Sequence, residues 1–474
     1  MIPTLTPTLQ AMFLSFSPCF TSPGLTNFAA LVSGMILCQG RHTISRVIQA
    51  AGDLTGGKHH SAFYRFLAEG SWCADQVGQV LFTLLLPFLG EEILAAVDDT
   101  LCRKGGPHLW GGGMHHDAVR STYGRFTSAG RHVALSFGHN WVVVSVWVPL
   151  PWAEDRGLAV PVLFRLYRSK SRCPKSDYRK RTELAGDLLR VLAGWLPEGR
   201  TLHAVADSEY SSRTVVRLLP KGVTFTGSMA MDAALFARPP KYRGKGRPRV
   251  KGKRLPSPAK LAKSKAKSQR WSRIKLRIYG RKVTLLVKTR VCLWYRVAGG
   301  APVRVVVTRD PRGRYKDRAY FCTDPSLSVE EILVRYARRW ATEATFRNVK
   351  QSMGLSDPQN GWWRRNHGAR RAKKKAGPNA RGNRGRLAVE RTAPLCFLSY
   401  GITVVWYLRH GKPQEDVARA MAEAPWYTHK RQPSFSDMLA ALRRQLWASR
   451  LSGEAHLEPG SSKTLELPGW LLAS

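Results

Sequence analysis

The sequence predicts an α/β fold in which a mixed sheet with flanking helices is interrupted by a β-rich insertion and preceded by a helical N-terminal region. Three observations support this fold class. Residues 1–90 carry apolar residues at helical spacing. Residues 202–226 follow the order strand, acid, helix, strand, which is typical of α/β folds. Residues 230–320 are rich in strand-like runs.

The N-terminal region is expected to be helical throughout. The predicted helices cover residues 26–39, 43–51, 61–67 and 74–89. Residues 41–46 and 61–72 together could form a helix-turn-helix that reads DNA. A helical cap or a dimerisation element explains the same pattern equally well, because helical pairs with a short turn are common.

The sheet is expected to begin with antiparallel strands. The predicted strands cover residues 93–97, 132–137, 141–148 and 159–167. The second and third of these are predicted to form a hairpin around residues 138–140. Asp98 and Asp99 directly follow the first strand, so we expect an acid at the end of that strand.

A second acid follows a strand in the next segment. Helices are predicted at residues 178–196 and 213–219, and strands at 202–206 and 223–226. Asp207 comes directly after the first of these two strands. Side chains at the carboxyl ends of strands gather at one edge of such sheets, which makes Asp207 a candidate site residue.

The remaining elements are a β-rich insertion and closing helices. The strands predicted for the insertion and its end cover residues 275–278, 283–289, 303–308 and 318–323. The last of these strands leads into a long predicted helix at residues 328–355. Helices at 388–408 and 435–447 are predicted to close the chain.

The charge of the chain indicates its partner. The 76 Lys and Arg residues exceed the 32 Asp and Glu residues by 44, and the sequence pI is about 10.7. A chain of this charge gains free energy from counterion release when it lies along a polyphosphate, so nucleic acid is the expected partner.

Two segments concentrate this charge. Residues 241–277 contain 16 Lys or Arg and no acid, and are expected to form a flexible segment that contacts the DNA backbone. Residues 364–386 contain ten Lys or Arg and no acid. We interpret this second run as a loop that orders on nucleic acid, and its alternative is a solvated, disordered loop.

The cysteines and apolar segments bear on the compartment. The eight cysteines include no CxxC or CxxxC pair, which excludes a recognisable zinc finger and predicts reduced thiols in a cytoplasm. Residues 1–20 lack a basic start and contain three prolines, so they do not resemble a signal peptide. The apolar run at 393–408 is too short and too polar for a membrane span. We therefore expect a cytoplasmic protein with no membrane partner.

The predicted helix at 328–355 carries four polar residues on one face. Tyr336, Arg339, Glu343 and Lys350 project within an arc of roughly 60° at α-helical spacing. Such a face is most often solvated and held by ion pairs between residues one turn apart. The apolar residues on this helix leave no side that is only polar, however, which favours a packed helix and a functional acid.

Three acids stand out by their position: Asp98, Asp207 and Glu343. An Asp at the end of a strand is commonly a turn or cap residue, so each acid alone is a weak signal. Together, in a strongly basic chain, they form a ligand set for two Mg²⁺ ions, which prefer carboxylate oxygens. Two such ions support in-line displacement at a phosphate, the chemistry of nucleases and strand transferases.

The motif Tyr336-x₂-Arg339-x₃-Glu343-x₆-Lys350 resembles the Tyr-Arg-Glu-Lys signature of bacterial insertion-sequence transposases, which have a DDE active site in an RNase H-like fold. The segments AVDDT at 96–100, VADSEY at 205–210 and GKGRPRVKGKRLP at 244–256 are also similar to that family. The resemblance covers about residues 90–410. It implies an RNase H-like mixed sheet, and the family also places a β-rich insertion between its second Asp and its Glu.

The resemblance also implies roles for individual residues. Asp98, Asp207 and Glu343 would be the catalytic residues and would hold two Mg²⁺ ions, which Mn²⁺ can replace. The family pattern favours Asp98 over Asp99, although neighbours on a strand point to opposite faces and only one is expected to serve. The residues expected to bind DNA phosphates are Tyr336, Arg339, Lys350, Arg247, Arg249, Lys251, Arg370, Arg371 and Lys374.

The function implied is cut-and-paste movement of a DNA element. The partners would be double-stranded DNA at the element's terminal inverted repeats and at the target, bound by a homodimer in the nucleoid. Trp294, Tyr320 or Phe321 could stack on an extruded base, although aromatics in a β insertion more often belong to the core. Two other functions remain open: a nuclease that does not transpose, and a non-catalytic DNA-binding protein derived from a transposase.

The expected domain organisation follows from these assignments. Five parts are expected in chain order. They are a helical DNA-binding or dimerisation domain, the first part of the catalytic domain, a basic β-rich insertion, the rest of the catalytic domain with its basic loop, and a helical C-terminal region. Their boundaries are 1–90, 91–229, 230–320, 321–410 and 411–474.

Overall fold

The computed structural model describes residues 5–105, 109–123, 133–242, 244, 247–278, 280–357 and 382–455. Three of the residues expected to bind DNA, Arg370, Arg371 and Lys374, lie outside this part of the chain, as does most of the basic run at 364–386. The helices are α1 (Pro7–Leu14), α2 (Ser22–Leu37), α3 (Ile44–Ala51), α4 (His60–Ala68), α5 (Ala74–Leu85), α6 (Ala118–Tyr123), α7 (Arg181–Gly194), α8 (Arg213–Val216), α9 (Pro258–Lys263), α10 (Tyr295–Ala298), α11 (Val329–Arg338), α12 (Trp340–Ser352), α13 (Asn383–His410), α14 (Pro413–Glu423) and α15 (Phe435–Ala455).

The described strands form a twelve-stranded mixed sheet. They are β1 (Glu92–Arg103), β2 (Gly113–His116), β3 (Leu135–Leu150), β4 (Ala153–Tyr167), β5 (Thr201–Ala206), β6 (Thr224–Met229), β7 (Leu235–Phe236), β8 (Arg254–Leu255), β9 (Ser272–Ile278), β10 (Arg281–Leu293), β11 (Pro302–Arg309) and β12 (Arg318–Cys322). The central order is β4-β3-β1-β5-β6, with β3 antiparallel to both β4 and β1, and with β1, β5 and β6 parallel. The expected RNase H-like mixed sheet with a helical N-terminal region is therefore confirmed.

Strand β1 is longer than the sequence suggested. The prediction that it ends before Asp98 was wrong, because β1 continues through both acids to Arg103. Its apolar run stops at Val97, but Thr100 and Cys102 are buried and keep the alternation of inward and outward side chains. The acids therefore lie inside a strand that remains paired with β3 beyond them, while the pairing of β1 with β5 ends at Val97.

The predicted hairpin at residues 138–140 was also wrong, because β3 is one continuous strand. Gly138 is a site of close approach between strands. A Cβ atom there would lie 2.1 Å from the carbonyl oxygen of Cys102 in β1, and only glycine leaves that space free. The actual hairpin connects β3 to β4 after Leu150.

The insertion is continuous with the central strands of the sheet. Strand β12 pairs antiparallel with β6, and β11, β10 and β9 extend the sheet outward from it. Part of the basic segment 241–277 is ordered, contrary to expectation. Leu261 of α9 is buried, and the Lys288 ammonium donates to the carbonyl of Leu261 at 2.9 Å. The pairing of β9 with β10 and the contact of Lys288 with α9 hold parts of the 241–277 segment in place, although its composition predicted flexibility.

The N-terminal helices pack into the same hydrophobic core as the sheet. Helix α13 contacts α2, α4, α5 and β4, so it joins the N-terminal helices to the sheet. Phe397 of α13 stacks on Phe164 of β4 with ring centroids 5.0 Å apart. Within the described residues, no helix is both apolar enough and long enough to span a bilayer. The burial of α13 explains its apolar sequence.

The predicted single helix at 328–355 is two helices. Helix α11 ends at Arg338 and α12 begins at Trp340, and the Arg339 amide donates to the Tyr336 carbonyl three residues back. The capping box of Ser328 and Glu331 is present as predicted. The junction places Arg339 between the two helices, directly beside the acids of β1.

Candidate active site

Asp98 and Asp207 lie side by side on neighbouring parallel strands. Val97 of β1 is in register with Ala206 of β5, so the next residues along the two strands are these two acids. The Asp207 carboxylate also accepts the Glu209 amide at 2.9 Å, which holds it at the start of the turn after β5. The sheet topology therefore brings together two acids that are 109 residues apart in the sequence.

Asp99 is held on the opposite side of β1 by three donors. The Tyr210 hydroxyl donates to its Oδ1 at 2.9 Å, and Asn140 Nδ2 and Arg181 Nη1 donate to its Oδ2 at 2.8 and 3.1 Å. Arg181 also pairs with Glu209 at 2.7 Å. The Asp99 carboxylate is thus hydrogen-bonded at both oxygens, whereas Asp98 faces the helix junction.

Arg339 connects Asp98 to Glu343. Its Nη1 donates to Asp98 Oδ2 at 2.8 Å, and its Nη2 donates to Glu343 Oε1 at 2.9 Å. The Arg339 side chain is 13% exposed, and within the described structure its Nε has no hydrogen-bond partner. The guanidinium is therefore a positive charge shared by two of the three candidate acids.

The Asp98 carboxyl sits in an environment that disfavours its charge. Burial raises its pKa to about 7, the Arg339 guanidinium opposes this shift, and the neighbouring Asp207 and Asp99 carboxylates add to it. Perturbed carboxylates of this kind cluster at functional sites. A cation beside Asp98 and Asp207 would relieve the repulsion between them.

Other residues predicted to bind DNA lie at different places. The Tyr336 ring packs against Tyr320 of β12 with centroids 4.6 Å apart. Lys350 is half-buried in the last turn of α12, and its charge lies near the Cys102 thiol. Lys251 lies over the Phe236 ring at 4.2 Å, in the insertion. Of the predicted DNA-binding residues, only Arg339 contacts the acids in the described structure.

A match to a protein-family model assigns the chain to a family. A model described as "DDE superfamily endonuclease" matches residues 15–283, which is more than half of the chain. The chain belongs to the DDE superfamily endonucleases. The matched segment contains Asp98 and Asp207, and it ends before Glu343.

Two further comparisons add little to this assignment. No curated protein sequence matches the chain. Among solved structures, the chain is similar to a piggyBac transposase synaptic complex with hairpin DNA. The two chains share 9% identity and a TM-score of 0.39, over 95% of this chain and 75% of that one. A likeness at this level assigns neither mechanism nor substrate.

Members of the DDE endonuclease superfamily generally use divalent metal ions, so we tested whether this site fits one. Three carboxylates are a suitable donor set for a hard cation. Among the described residues, however, no three His, Cys, Asp or Glu side chains are close enough together to hold a metal ion. Arg339 stands between two of the three candidate carboxylates, because its guanidinium bonds both Asp98 and Glu343. Asp98 and Glu343 can share a cation only after this guanidinium moves.

Sequence reasoning missed the residues that hold Asp99. Tyr210 was within the quoted segment VADSEY, but nothing in that segment indicates that its hydroxyl reaches back to β1. Asn140 was assigned to a turn, and Arg181 opens a helix whose sequence gives no functional signal. These three residues make β1 of this DDE endonuclease a rigid support for Asp98.

Tyr210→Phe tests this support. The Tyr210 side chain is fully buried, so removing its hydroxyl leaves Asp99 Oδ1 without that donor. We expect the free energy of unfolding to fall by about 1–3 kcal/mol. Tyr64→Phe is the matched control, because the Tyr64 hydroxyl bonds Ser45 at an exposed position. Equal denaturation midpoints for Tyr210→Phe and wild type would contradict the role assigned to Tyr210.

Proposed function

We propose that this DDE endonuclease is a transposase that cuts the strands at the ends of a DNA element and joins them to target DNA. The observation that carries the proposal is the adjacency of Asp98 and Asp207, with Glu343 linked to Asp98 through Arg339. The surplus of 44 positive charges favours a polyphosphate substrate.

In this proposal Asp98, Asp207 and Glu343 hold two Mg²⁺ ions, which Mn²⁺ can replace. When bound, such ions supply Lewis acidity to the in-line displacement of an oxygen at phosphorus. Asp99 is left out of the ligand set, because Tyr210, Asn140 and Arg181 already occupy both of its oxygens. This supports the assignment of Asp98 as the ligand on β1.

The basic residues of the site would bind the DNA backbone. Arg339 would leave Asp98 and Glu343 and donate to a phosphate, for which its planar fork of N–H groups is suited. Tyr336 and Lys350 would position neighbouring phosphates. Lys251 and the exposed Arg247 and Arg249 would contact the DNA further along, as would the residues at 370, 371 and 374.

The reaction would take place in two steps. Water first cuts a strand at each element end, and the freed 3′ hydroxyl then attacks the second strand or a target phosphodiester. We further propose that the chain acts as a homodimer on paired inverted repeats, in the nucleoid. Base stacking by Trp294, Tyr320 and Phe321 is not part of the proposal, because all three rings are buried in the core.

An in vitro assay with Mg²⁺ and DNA that carries the inverted repeats flanking the gene tests this proposal. Joined products are expected from a transposase, and chelation of the metal should abolish them while leaving DNA binding in place. Cleavage without joining would replace the proposal with a nuclease that does not transpose. Shifted but intact DNA, with Mn²⁺ as well as Mg²⁺, would replace it with a non-catalytic DNA-binding protein.

A further inference from the structure

A groove of about 800 Å³ lies away from the acids, between two sheet turns and the segment that connects α14 to α15. The β3–β4 hairpin contributes Glu154 and Arg156, and the β9–β10 turn contributes Arg277 and Gly280. Residues 426–432 and Ser434 line the remaining side. We name this feature the 426 groove.

Two aromatic side chains stand exposed at this groove. Trp426 is 74% exposed, more than any other large hydrophobic side chain in the described part of the chain, and Tyr427 is 52% exposed. Their ring centroids are 6.1 Å apart. Lys430 lies 5.2 Å from the Tyr427 ring and is held at 2.7 Å by Asp437 of α15. The two adjacent rings form an exposed apolar patch on a segment that the Lys430–Asp437 ion pair fixes.

The charges around these rings are predominantly positive. Arg277 is paired with Glu154 at 2.7 Å and with Asp155 at 3.4 Å, so these acids are already engaged. Arg156 and Arg431 are exposed, and among the described residues neither has an acidic partner. Exposed aromatic faces beside unpaired cations match the chemistry of single-stranded nucleic acid, whose bases stack on rings and whose phosphates bind cations.

The separation between the groove and Asp98 follows from the register of β3. Asp98 is in register with Val143 of β3, and the hairpin that lines the groove begins seven residues further on, after Leu150. At about 3.4 Å per residue this is about 24 Å, which is less than one turn of duplex DNA. A DNA strand that runs over the surface from one place to the other must span at least this distance.

We propose that the 426 groove binds an unpaired DNA strand, with a base stacked on Trp426 and phosphates on Arg156 and Arg431. This inference rests on the proposed function, because it assumes that DNA is the substrate. It adds a second contact that favours unpaired over duplex DNA.

The test is binding of the full-length chain to a fluorescent oligothymidylate of about 16 nucleotides, measured by anisotropy with the metal chelated. Trp426→Ala is expected to weaken binding about tenfold, which is the effect of removing one stacked base. Trp426→Phe should keep most of the affinity. Tyr315→Ala is the matched control, since Tyr315 is 66% exposed beside Arg314 on another surface and should leave the affinity unchanged.

The proposed phosphate contacts of Arg156 and Arg431 are tested separately, by the salt dependence of the affinity. Arg156→Gln with Arg431→Gln should lower the slope of log affinity against log salt by about 1.4, from two single-strand phosphate contacts. Lys221→Gln with Arg419→Gln, two exposed cations outside the groove lining, should change it less. Circular dichroism confirms that each variant is folded.

Three results would overturn the proposal. One is unchanged oligothymidylate binding by Trp426→Ala. Another is an equal loss on blunt duplex DNA, which would make the groove a duplex contact. The third is a change in oligomeric state without a change in DNA binding, which would make it a protein interface. Because the oligothymidylate assay measures binding and not cleavage, its result can be interpreted even if the transposase proposal fails. Conversely, Trp426→Ala should still cut blunt duplex if the active site is as proposed.

Discussion

Asp98→Asn, Asp207→Asn and Glu343→Gln are each expected to reduce Mg²⁺-dependent DNA cleavage by about 10³-fold or more. Each substitution keeps the shape of the side chain and removes the charge that would bind the cation. Transition-state stabilisation by such a metal is worth several kcal/mol, and about 1.4 kcal/mol corresponds to a tenfold change in rate. DNA binding should stay within about threefold of wild type, because the basic surface is unaltered.

Two controls make this prediction specific. Asp187→Asn changes an acid that pairs with Arg179 and Arg190 on the surface of α7, and should leave cleavage unchanged. Asp99→Asn should lower stability, because an amide nitrogen would face the donors that now surround the carboxylate. If Asp99→Asn abolished cleavage without loss of stability, and Asp98→Asn did not, the assignment of the ligand on β1 would be wrong.

Gly138→Ala is expected to lower the free energy of unfolding by about 3 kcal/mol, at the upper end of the cost of overpacking a core. The added Cβ would meet the Cys102 carbonyl oxygen at 2.1 Å, so the backbones of β1 and β3 would have to separate. Denaturation midpoints in urea measure the effect. A midpoint equal to that of wild type would show that the two strands can part without cost.

Gly186→Ala is the matched control for this substitution. Gly186 lies inside α7, and the nearest atom to an added Cβ is the Thr214 carbonyl oxygen at 3.8 Å, an ordinary contact. Alanine is the better helix former, so this variant should gain up to about 1 kcal/mol. The free energy of unfolding is thus expected to fall for Gly138→Ala and to rise for Gly186→Ala. This difference distinguishes a steric conflict from an effect on chain entropy.

The sequence predicted the elements of the fold better than their ends. Strands β5, β6, β10 and β11, and helices α3 and α13, were found because their apolar patterns match their structure. The errors in element boundaries occurred where a residue type that is common in turns or at strand ends lies inside a strand. Gly138 and its neighbours resemble a turn, but the glycine permits close strand contact. Asp98 resembles the end of a strand, but pairing with β3 carries β1 past it to Arg103.

For the candidate site, sequence reasoning predicted the acids but not their surroundings. Asp98, Asp207 and Glu343 were selected because of their positions after apolar runs and within a recognisable motif. The donors to Asp99 could not be found in the same way, since Asn140, Arg181 and Tyr210 come from three separate elements. The position of Arg339 between two acids also required the structure, because helix periodicity alone placed it only on the same face as Glu343.

Asp98 and Asp99 are neighbours on β1 and face opposite sides of the sheet, so the surroundings of each acid depend on the register of the strand. Nine residue pairs with β3 and six with β5 hold the strand in one register. Loss of a single codon in the first half of β1 would exchange the two faces, so that Asp99 would take the place of Asp98 and Thr100 that of Asp99. Such a deletion would keep an aspartate at the position of Asp98, but it would place Asp98 itself at the buried position of Val97 and remove the carboxylate that Tyr210, Asn140 and Arg181 hold. This makes β1 a segment that tolerates conservative substitutions far better than changes in length.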